Sequence, residues 1–225
     1  MASWPEPEFE TAIWLELFRL ADARLTAPSK VTAIGGVALI LGYSTKDKTR
    51  DLDTATSLTR EVAVALREAG LEVQARHALP IPPPFGPAAV WDAPYHYEDR
   101  LRRILPELKM LHFFAPEEHD LAMMKISRCE ERDMEDLKAL HAVHPLSLDT
   151  LLDRYQEMQI ALDPRRLRWN FVDAVSGLFR DDVATVIDRA LTTSGKEPGQ
   201  AWPQQMREDV GRTLDRLSRG HGPSL

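Results

Sequence analysis

The chain has 225 residues, of which 44% are hydrophobic and 28% are charged, a composition that suits one large globular domain or two small ones. Its single cysteine, Cys129, excludes an intrachain disulfide and a zinc site built from several thiolates. The net charge of −7 argues against broad, nonspecific nucleic-acid binding, so a polyanionic partner must be met by a local basic surface. The sequence has no apolar run near the roughly 20 residues of a membrane span and no signal-peptide pattern. We therefore expect a cytoplasmic protein without a membrane partner.

The first part of the chain alternates predicted helices and strands. In chain order the apolar patterns predict a helix over residues 8–25, a strand-turn-helix unit over 31–41, a short strand in RDLDTA, a helix over about 58–69 and a strand in LEVQAR. We expect Pro28 to end the first helix, and Ser57 and Gly70 to bound the second. The turn at Gly35-Gly36 lies inside the strand-turn-helix unit.

The next part begins with a proline-rich segment, HALPIPPPFGPAAVWDAP, which the prolines exclude from being an ordinary helix or central strand. We expect a long, stiff loop there. The patterns then predict a helix over 97–104, a strand in LKMLHFF, one or two helices over 116–143, and only helices from Ser147 onward. The predicted fold is α+β, a small mixed sheet flanked by helices and followed by an all-helical C-terminal part. The predicted domains are 1–145, 146–191 and a linker with a weakly ordered helical tail over 192–225.

Two short motifs carry the chemistry of this sequence. Asp51 and Asp53 are at i and i+2, so on a strand their side chains point to the same face and together can bind Mg²⁺, which prefers oxygen ligands. Gly35 and Gly36 have no Cβ, so their backbone N–H groups can approach a phosphate closely at the N-terminus of a helix. Alone, either motif is more simply a tight turn or a solvated strand end. Their order in one short stretch favours a nucleotide and metal site.

The stretch consists of Ile34-Gly35-Gly36, fourteen intervening residues and then Asp51-Leu52-Asp53. This arrangement resembles the signature of the DNA polymerase β-like nucleotidyltransferase superfamily. In that superfamily the glycines hold the triphosphate and the acidic pair binds Mg²⁺. The resemblance implies phosphate binding by Gly35 and Gly36 and metal binding by Asp51 and Asp53. It also implies a nucleoside triphosphate substrate.

The wider context is similar to the AbiEii-type toxins and related nucleotidyltransferases of prokaryotic toxin–antitoxin and phage-defence loci, over about residues 30–145. Those families carry a later Lys, an Arg-Asp pair and a further Asp, which match Lys125, Arg132-Asp133 and Asp136 here. The resemblance implies that these residues belong to the catalytic and nucleotide-binding site. It also implies a cognate antitoxin or defence partner.

The residues around Lys125 also have a physical interpretation. If Lys125, Arg128 and Arg132 lie on one helix, their spacings of three and four align three cations on one face, along which a triphosphate can lie. The alternative is a solvated face, in which Arg128 pairs with Glu131 and Arg132 with Asp136.

The third acidic residue that often accompanies such a pair has no clear counterpart. Glu72 in LEVQAR and Asp92 in AVWDAP are candidates by position, and each is also readily explained as a structural or solvated residue. Without a third carboxylate the attacking hydroxyl lacks an obvious general base.

Other polar clusters are less specific. The histidines do not form a helical HxxxH pair with a nearby carboxylate, so we expect no transition metal. Two basic groups have residues suited to RNA, through phosphate pairing and stacking, although an ordinary helix surface with a packed Trp also explains them. They are RLRR at 100–103 and a group of arginines with Tyr155 and Trp169. The arginines of that second group are Arg154, Arg165, Arg166 and Arg168.

The sequence therefore predicts a Mg²⁺-dependent nucleotidyltransferase that moves a nucleoside monophosphate to a hydroxyl of an RNA, such as tRNA, or of a protein. The second hypothesis is a catalytically silent protein of the same fold that acts as an antitoxin or as a subunit of a defence complex. The sequence leaves open the acceptor, the preferred base and the oligomeric state.

Overall fold

The computed structural model describes residues 7–88, 92–158 and 164–179. The predicted fold class is confirmed: a small mixed sheet is flanked by helices, and helices follow it in the part of the chain that the structure describes. Among the described residues, none of the helices combines the length and the apolar character that a membrane span requires.

The main sheet of the described residues has five strands. They are β2 Ser29–Ile34, β4 Leu52–Thr54, β5 Phe85–Pro87, β6 Arg102–Ile104 and β7 Leu111–Ala115. Their order across the sheet is β5-β4-β2-β7-β6. The central strand β2 runs antiparallel to β4 and parallel to β7, while β5 is parallel to β4 and β6 antiparallel to β7. A separate two-stranded ribbon joins β1 (Phe9–Glu10) to β3 (Lys48–Thr49).

The predicted strand-turn-helix unit is confirmed. Strand β2 ends at Ile34, and the chain turns at Gly35 into a short helix α2 (Gly35–Val37) that continues as a π-helical turn over Ala38–Gly42. The apolar residues of this helical stretch are buried, as the unbroken apolar run requires.

The two helices on one side of the sheet differ from their predicted bounds. Helix α1 spans Thr11–Asp22 and therefore ends well before Pro28. Helix α3 spans Arg60–His77, so the predicted end at Gly70 and the predicted strand in LEVQAR are wrong. Gly70 lies inside α3, where a Cβ would be 3.6 Å from the Cβ of Pro82, an ordinary van der Waals contact, so the glycine faces the proline-rich segment without ending the helix.

The helical period explains why α3 continues. Val62, Leu66, Ala69 and Val73 are buried at spacings of four, three and four, which is one face of a helix. The cap is Thr59 rather than Ser57, because the Thr59 hydroxyl accepts from the backbone N–H of Val62.

The proline-rich segment is only partly a loop. Its Phe85–Pro87 forms the edge strand β5, a position where proline is tolerated because the missing N–H faces outward. The helix predicted over 97–104 is also wrong, since a single 3₁₀ turn over Tyr97–Arg100 is followed by β6. The strand predicted in LKMLHFF is confirmed as β7.

Up to residue 179, the described part of the chain places four helices after the sheet, and α4 packs against the other three. They are α4 Glu118–Arg128, α5 Glu131–Val143, α6 Leu148–Gln156 and α7 Pro164–Leu178. Ser147 caps α6 as predicted, because its hydroxyl accepts from the backbone N–H of Thr150. The helix predicted after residue 180 and the tail over 192–225 lie outside the described residues, and the domain boundaries stay a prediction.

Candidate nucleotide and metal site

The Gly35 turn and the acidic pair meet at one end of β2 and β4. In the antiparallel register of these strands Ile34 lies opposite Asp53, which brings the turn after β2 against the Asp53 carboxylate. Gly35 has φ +61°, and a Cβ there would be 2.8 Å from Oδ2 of Asp53. Both the backbone conformation and the contact require glycine at this position. The two motifs that the sequence separates by fourteen residues therefore form one site.

The two carboxylates of the pair differ in their surroundings. Asp53 is half-buried, whereas Asp51 is exposed just before β4. Among the described residues neither carboxylate accepts a hydrogen bond or forms an ion pair. Burial raises the pKa of Asp53, and the negative charge of Asp51 raises it further, against the lowering effect of Arg128 and Lys125. Two neighbouring carboxylates thus lie where a bound cation would neutralise them, and their hard oxygen donors fit Mg²⁺.

Gly36 has a different environment from Gly35. A Cβ on Gly36 would be 1.9 Å from Oγ1 of Thr49, so the missing side chain allows β3 to pass directly over α2. This contact fixes the connection between the glycine turn and Asp51. The predicted contact between Gly36 and a phosphate stays a prediction.

A cleft of about 380 Å³ opens beside Gly35 and Asp53. The sheet supplies one wall and α4 the opposite wall, while α7 closes one side with Arg166 and Leu167. The residues that line it are Ile34, Gly35, Asp53, Ala88, Asp92, Leu121, Met124, Lys125, Ser127, Arg128, Glu130, Arg166 and Leu167. Charged groups and apolar side chains share this surface, as in sites that bind a phosphorylated organic molecule.

Behind the cleft lies a network of buried ion pairs. The ammonium of Lys125, whose residue is 4% exposed, lies 2.6 Å from Oδ2 of Asp136 and 3.2 Å from Oδ1 of Asp133. Lys46 donates to the other oxygen of Asp136 at 2.9 Å. Arg128 binds Asp133 through Nε and Nη2, both at 2.7 Å. Two aspartates and three cations therefore satisfy one another, and Lys125 is held by carboxylates rather than directed freely into the cleft.

The pKa values of the two aspartates reflect this pairing. Burial raises the pKa of Asp133, but the hydrogen bonds from Arg128 and the charge of Lys125 outweigh burial and lower it. Burial likewise raises the pKa of Asp136, and the charge and hydrogen bond of Lys125, with the hydrogen bond of Lys46, lower it on balance. Both groups are thus stabilised as anions, in contrast to Asp53.

The predicted alignment of Lys125, Arg128 and Arg132 on one helix is wrong. Helix α4 ends at Arg128 because Cys129 adopts the left-handed conformation, with φ 52°, and a new helix begins at Glu131. Arg132 does not line the cleft, and its Nη2 lies 2.9 Å from Oε1 of Glu8. The alternative pairing is also wrong. Arg128 binds Asp133, and the partners of Asp136 are lysines.

The two candidates for a third acid lie in different places. Glu72 lies on α3, where it pairs with Arg24 and Arg76, so it has no part in the cleft. Asp92 lines the cleft together with Asp53, and its Oδ2 accepts a hydrogen bond from Ser127 Oγ at 2.8 Å. The neighbouring strand β5 has no acid in register, because Gly86 lies opposite Asp53.

A second cluster of possible metal ligands consists of Glu117, Glu118 and His119. Its groups already have partners: His119 Nδ1 lies 2.6 Å from Glu117, and His119 Nε2 accepts from the backbone N–H of Ser147. Glu118 lies 2.7 Å from Arg102. Because Glu117 also caps α4 through the backbone N–H groups of its first turn, this cluster serves helix capping and packing.

The arginines of the two basic groups, around residues 100–103 and in the C-terminal helices, contact different parts of the fold. Arg100 binds the fully buried Asp120 through two hydrogen bonds of 2.8 Å, and Arg154 lies 3.1 Å from the same carboxylate. These two arginines are structural. Arg166 instead lines the cleft, where its Nη2 donates to the backbone oxygen of Arg128 at 3.2 Å. The side chains of Arg165 and Arg168 lie outside the described residues.

A family model described as "Nucleotidyltransferase of unknown function (DUF6036)" matches residues 15–175, which is more than half of the chain. The chain belongs to this nucleotidyltransferase family. No curated protein and no solved structure shows a significant match. The family assignment agrees with the placement of the glycine turn and the acidic pair in one site.

In this nucleotidyltransferase, sequence reasoning missed that Lys46 and Ser127 lie at or behind the candidate site. Lys46 lies in the polar stretch between the two motifs, and its bond to Asp136 spans 90 residues of sequence, so only the fold reveals it. Ser127 has no motif of its own, and the sequence indicated Arg166 only as a possible RNA contact. Their signal is the packing of α7 on the last turn of α4, where Asn170 donates to the backbone oxygen of Ser127 at 2.8 Å.

Proposed function

We propose that the protein is a Mg²⁺-dependent enzyme that transfers a nucleoside monophosphate from a nucleoside triphosphate to a hydroxyl of an RNA or a protein. The observation that carries the proposal is the contact between Gly35 and Asp53, which joins a backbone turn suited to phosphate with a carboxylate that has no protein partner among the described residues. Asp51 supplies the second oxygen donor. When bound, Mg²⁺ would neutralise charge on the triphosphate as pyrophosphate leaves.

Residues in the cleft, with Gly36 and Asp51 beside it, divide the work in this proposal. Asp51 and Asp53 hold the metal, the backbone at Gly35 and Gly36 holds phosphate oxygens, and Arg128 adds positive charge at the cleft. The acceptor oxygen forms a bond to the α-phosphorus, the bond from that phosphorus to the pyrophosphate oxygen breaks, and the hydroxyl proton passes to Asp92. Asp92 is suited to this role because it lines the cleft with Asp53 and, among the described residues, only its Oδ2 is engaged, by Ser127.

The experiment is transfer of label from α-³²P nucleoside triphosphates to cellular RNA and protein. The double variant Asp51→Asn, Asp53→Asn should lose transfer by roughly a hundredfold or more, because metal stabilisation of the transition state contributes several kcal/mol. Asp47→Asn is the matched control, since Asp47 is an exposed aspartate that does not line the cleft. Equal labelling by the double variant and the control would refute the assignment.

The proposed biological setting is a toxin–antitoxin or phage-defence locus with a cognate partner. Its support is the similarity of residues 30–145 to AbiEii-type proteins, in particular the order of Lys125, Arg132-Asp133 and Asp136 after the acidic pair. Growth arrest on expression in a bacterial host, relieved by Asp53→Asn, would support the setting. Unimpaired growth of cells with active wild-type enzyme would contradict a toxin role.

The second candidate is a catalytically silent protein of the same fold. Two observations favour it: strand β5 has glycine rather than an acid opposite Asp53, and Lys125 is engaged by two buried aspartates. Isothermal titration with Mg²⁺ and ATP, CTP, GTP or UTP separates the candidates. No measurable binding of any triphosphate would favour the silent protein, while binding without label transfer by wild type would place the defect in the chemical step.

A further inference from the structure

The cleft that holds Asp53 also holds a hydroxyl group of the chain itself. Of the described residues that line the cleft, only Ser127 has a hydroxyl side chain. Ser127 is half-buried in the last turn of α4, and its Oγ donates a hydrogen bond of 2.8 Å to Oδ2 of Asp92, which lines the same cleft. A hydroxyl that donates to a carboxylate in this way is arranged as an acceptor with its general base.

The hydroxyl of Ser127 is directed away from its own helix. A serine within a helix commonly donates to the carbonyl oxygen four residues earlier or points to solvent. Ser127 Oγ instead donates to Asp92, which lies outside α4 on the segment that follows β5. The backbone is held as well, because Nδ2 of Asn170 donates to the carbonyl oxygen of Ser127 at 2.8 Å. Contacts from two other segments therefore fix both the backbone and the side chain of this residue.

The last turn of α4 also lies across the cleft from the metal site. Lys125 and Arg128 stand on either side of Ser127 in the sequence, and their charges act on the Asp53 carboxylate, where they oppose the rise of its pKa. The volume of the cleft, about 380 Å³, is at the small end of the roughly 300–1,000 Å³ of ligand sites. A nucleotide that fills it therefore contacts every wall, including the turn that carries the Ser127 hydroxyl.

We propose that Ser127 is an acceptor of the transfer, so that the protein attaches a nucleoside monophosphate to its own chain. This inference rests on the proposed function, because it names an acceptor for the same reaction. Oγ of Ser127 forms a bond to the α-phosphorus, and its proton passes to Oδ2 of Asp92. The bond from that phosphorus to the bridging oxygen breaks, and pyrophosphate leaves with the bonding electron pair. The product is a phosphodiester that keeps a nucleoside monophosphate in the cleft.

The test incubates the full chain with Mg²⁺ and each α-³²P nucleoside triphosphate, without any other acceptor. Wild type should become labelled, and its intact mass should rise by one nucleoside monophosphate. Cleavage after glutamates releases residues 119–130, in which Ser127 has the only hydroxyl side chain. Tandem mass spectrometry of this peptide should therefore place the added mass on Ser127. Trypsin is unsuitable, because it releases Ser127 within residues 126–128 alone.

Substitutions at the acceptor and at its base give separate readouts. Ser127→Ala should lose the label, while Ser127→Thr, which keeps a hydroxyl, should retain it. Asp92→Asn should become labelled roughly a hundredfold more slowly, because it removes the general base. The matched control is Ser57→Ala, since Ser57 is an exposed serine that does not line the cleft, and it should become labelled as wild type does. Thermal unfolding of each variant checks that the fold is retained.

Transfer within one chain has its own kinetic signature. The labelled fraction should rise at a rate that does not depend on protein concentration. In a mixture of wild type with a size-tagged Asp51→Asn, Asp53→Asn chain, only wild type should become labelled, although both chains carry Ser127. Label on the tagged chain would contradict transfer within one chain.

Two results overturn the inference outright. One is label on Ser127→Ala at the wild-type level. The other is wild type that labels RNA or another protein while its own intact mass stays unchanged, in which case the inference fails and the proposed function stands. If wild type labels neither itself nor any other acceptor, the proposed function fails as well.

Discussion

Asp136 and Asp53 should respond to the same substitution with opposite changes in stability. Asp136 is 8% exposed and binds two ammonium groups, Lys125 at 2.6 Å and Lys46 at 2.9 Å. Asp136→Asn removes the counter-charge that Lys46 has among the described residues and leaves Lys125 with Asp133 alone. Breaking a buried ion pair on one side costs about 3–5 kcal/mol.

Asp53→Asn should instead stabilise the metal-free protein. Burial and the charge of Asp51 already disfavour the Asp53 carboxylate, and no described residue pairs with it. Removal of such an unfavourable charge typically adds about 0.5–2 kcal/mol. Asp53→Asn, which removes a proposed metal ligand, is thus expected to stabilise the fold. Asp136→Asn, at a position away from the proposed reacting atoms, is expected to destabilise it.

Thermal unfolding in EDTA at pH 7 measures both effects. For a chain of this size the loss at Asp136 corresponds to a decrease in Tm of about 6–20 °C. Asp47→Asn, at an exposed site, should change stability by less than about 0.5 kcal/mol. If Asp136→Asn matches Asp47→Asn, the buried network does not stabilise the fold as argued. If Asp53→Asn lowers Tm, the carboxylate has a structural partner.

Two further predictions concern pH and the glycines. Because the pKa values of Asp133 and Asp136 are lowered in the folded protein, their stabilisation is fully present above the usual value of 3.8 and is lost as pH falls through the folded values. Tm measured from neutral pH to below 3.8 should fall less steeply for Asp136→Asn, and parallel curves would contradict the pairing. Gly35→Ala should cost about 1–2 kcal/mol for its left-handed backbone and also displace Asp53. Gly36→Ala should destabilise through Thr49 by about 1–3 kcal/mol. Urea unfolding measures both costs, and Mg²⁺ titration should detect the loss at Asp53 for Gly35→Ala.

The placement of Lys125 changes its interpretation. The sequence match assigns it to the catalytic and nucleotide-binding site, and Lys125 does line the cleft. Its ammonium, however, joins α4 to α5 through Asp133 and Asp136 and is positioned by them. A direct contact between Lys125 and a nucleotide stays a prediction. Arg128 is better placed for such a contact, because it is exposed at the cleft and held by Asp133.

Local patterns alone were sufficient for several features. The unbroken apolar run before Gly35 predicted the strand, turn and helix, and Ser147 predicted the start of α6, because burial and capping act within a few residues. The combination of the glycine turn with the acidic pair predicted that the two motifs lie together, and the structure brings Gly35 against Asp53, while their function stays a prediction.

Tertiary packing decided the rest. Gly70 looked like a helix end but lies within α3, because the buried face of the helix continues past it to Val73. Asp92 and Glu72 were equal candidates for a third acid in the sequence, and only the fold placed Asp92 in the cleft with Asp53 and Glu72 outside it. The partners of Lys46, Arg128 and Arg132 also depended on where α4 ends at Cys129. Periodicity and capping specify what a segment prefers, whereas pairing among buried charges depends on distances between segments that only the folded chain brings together.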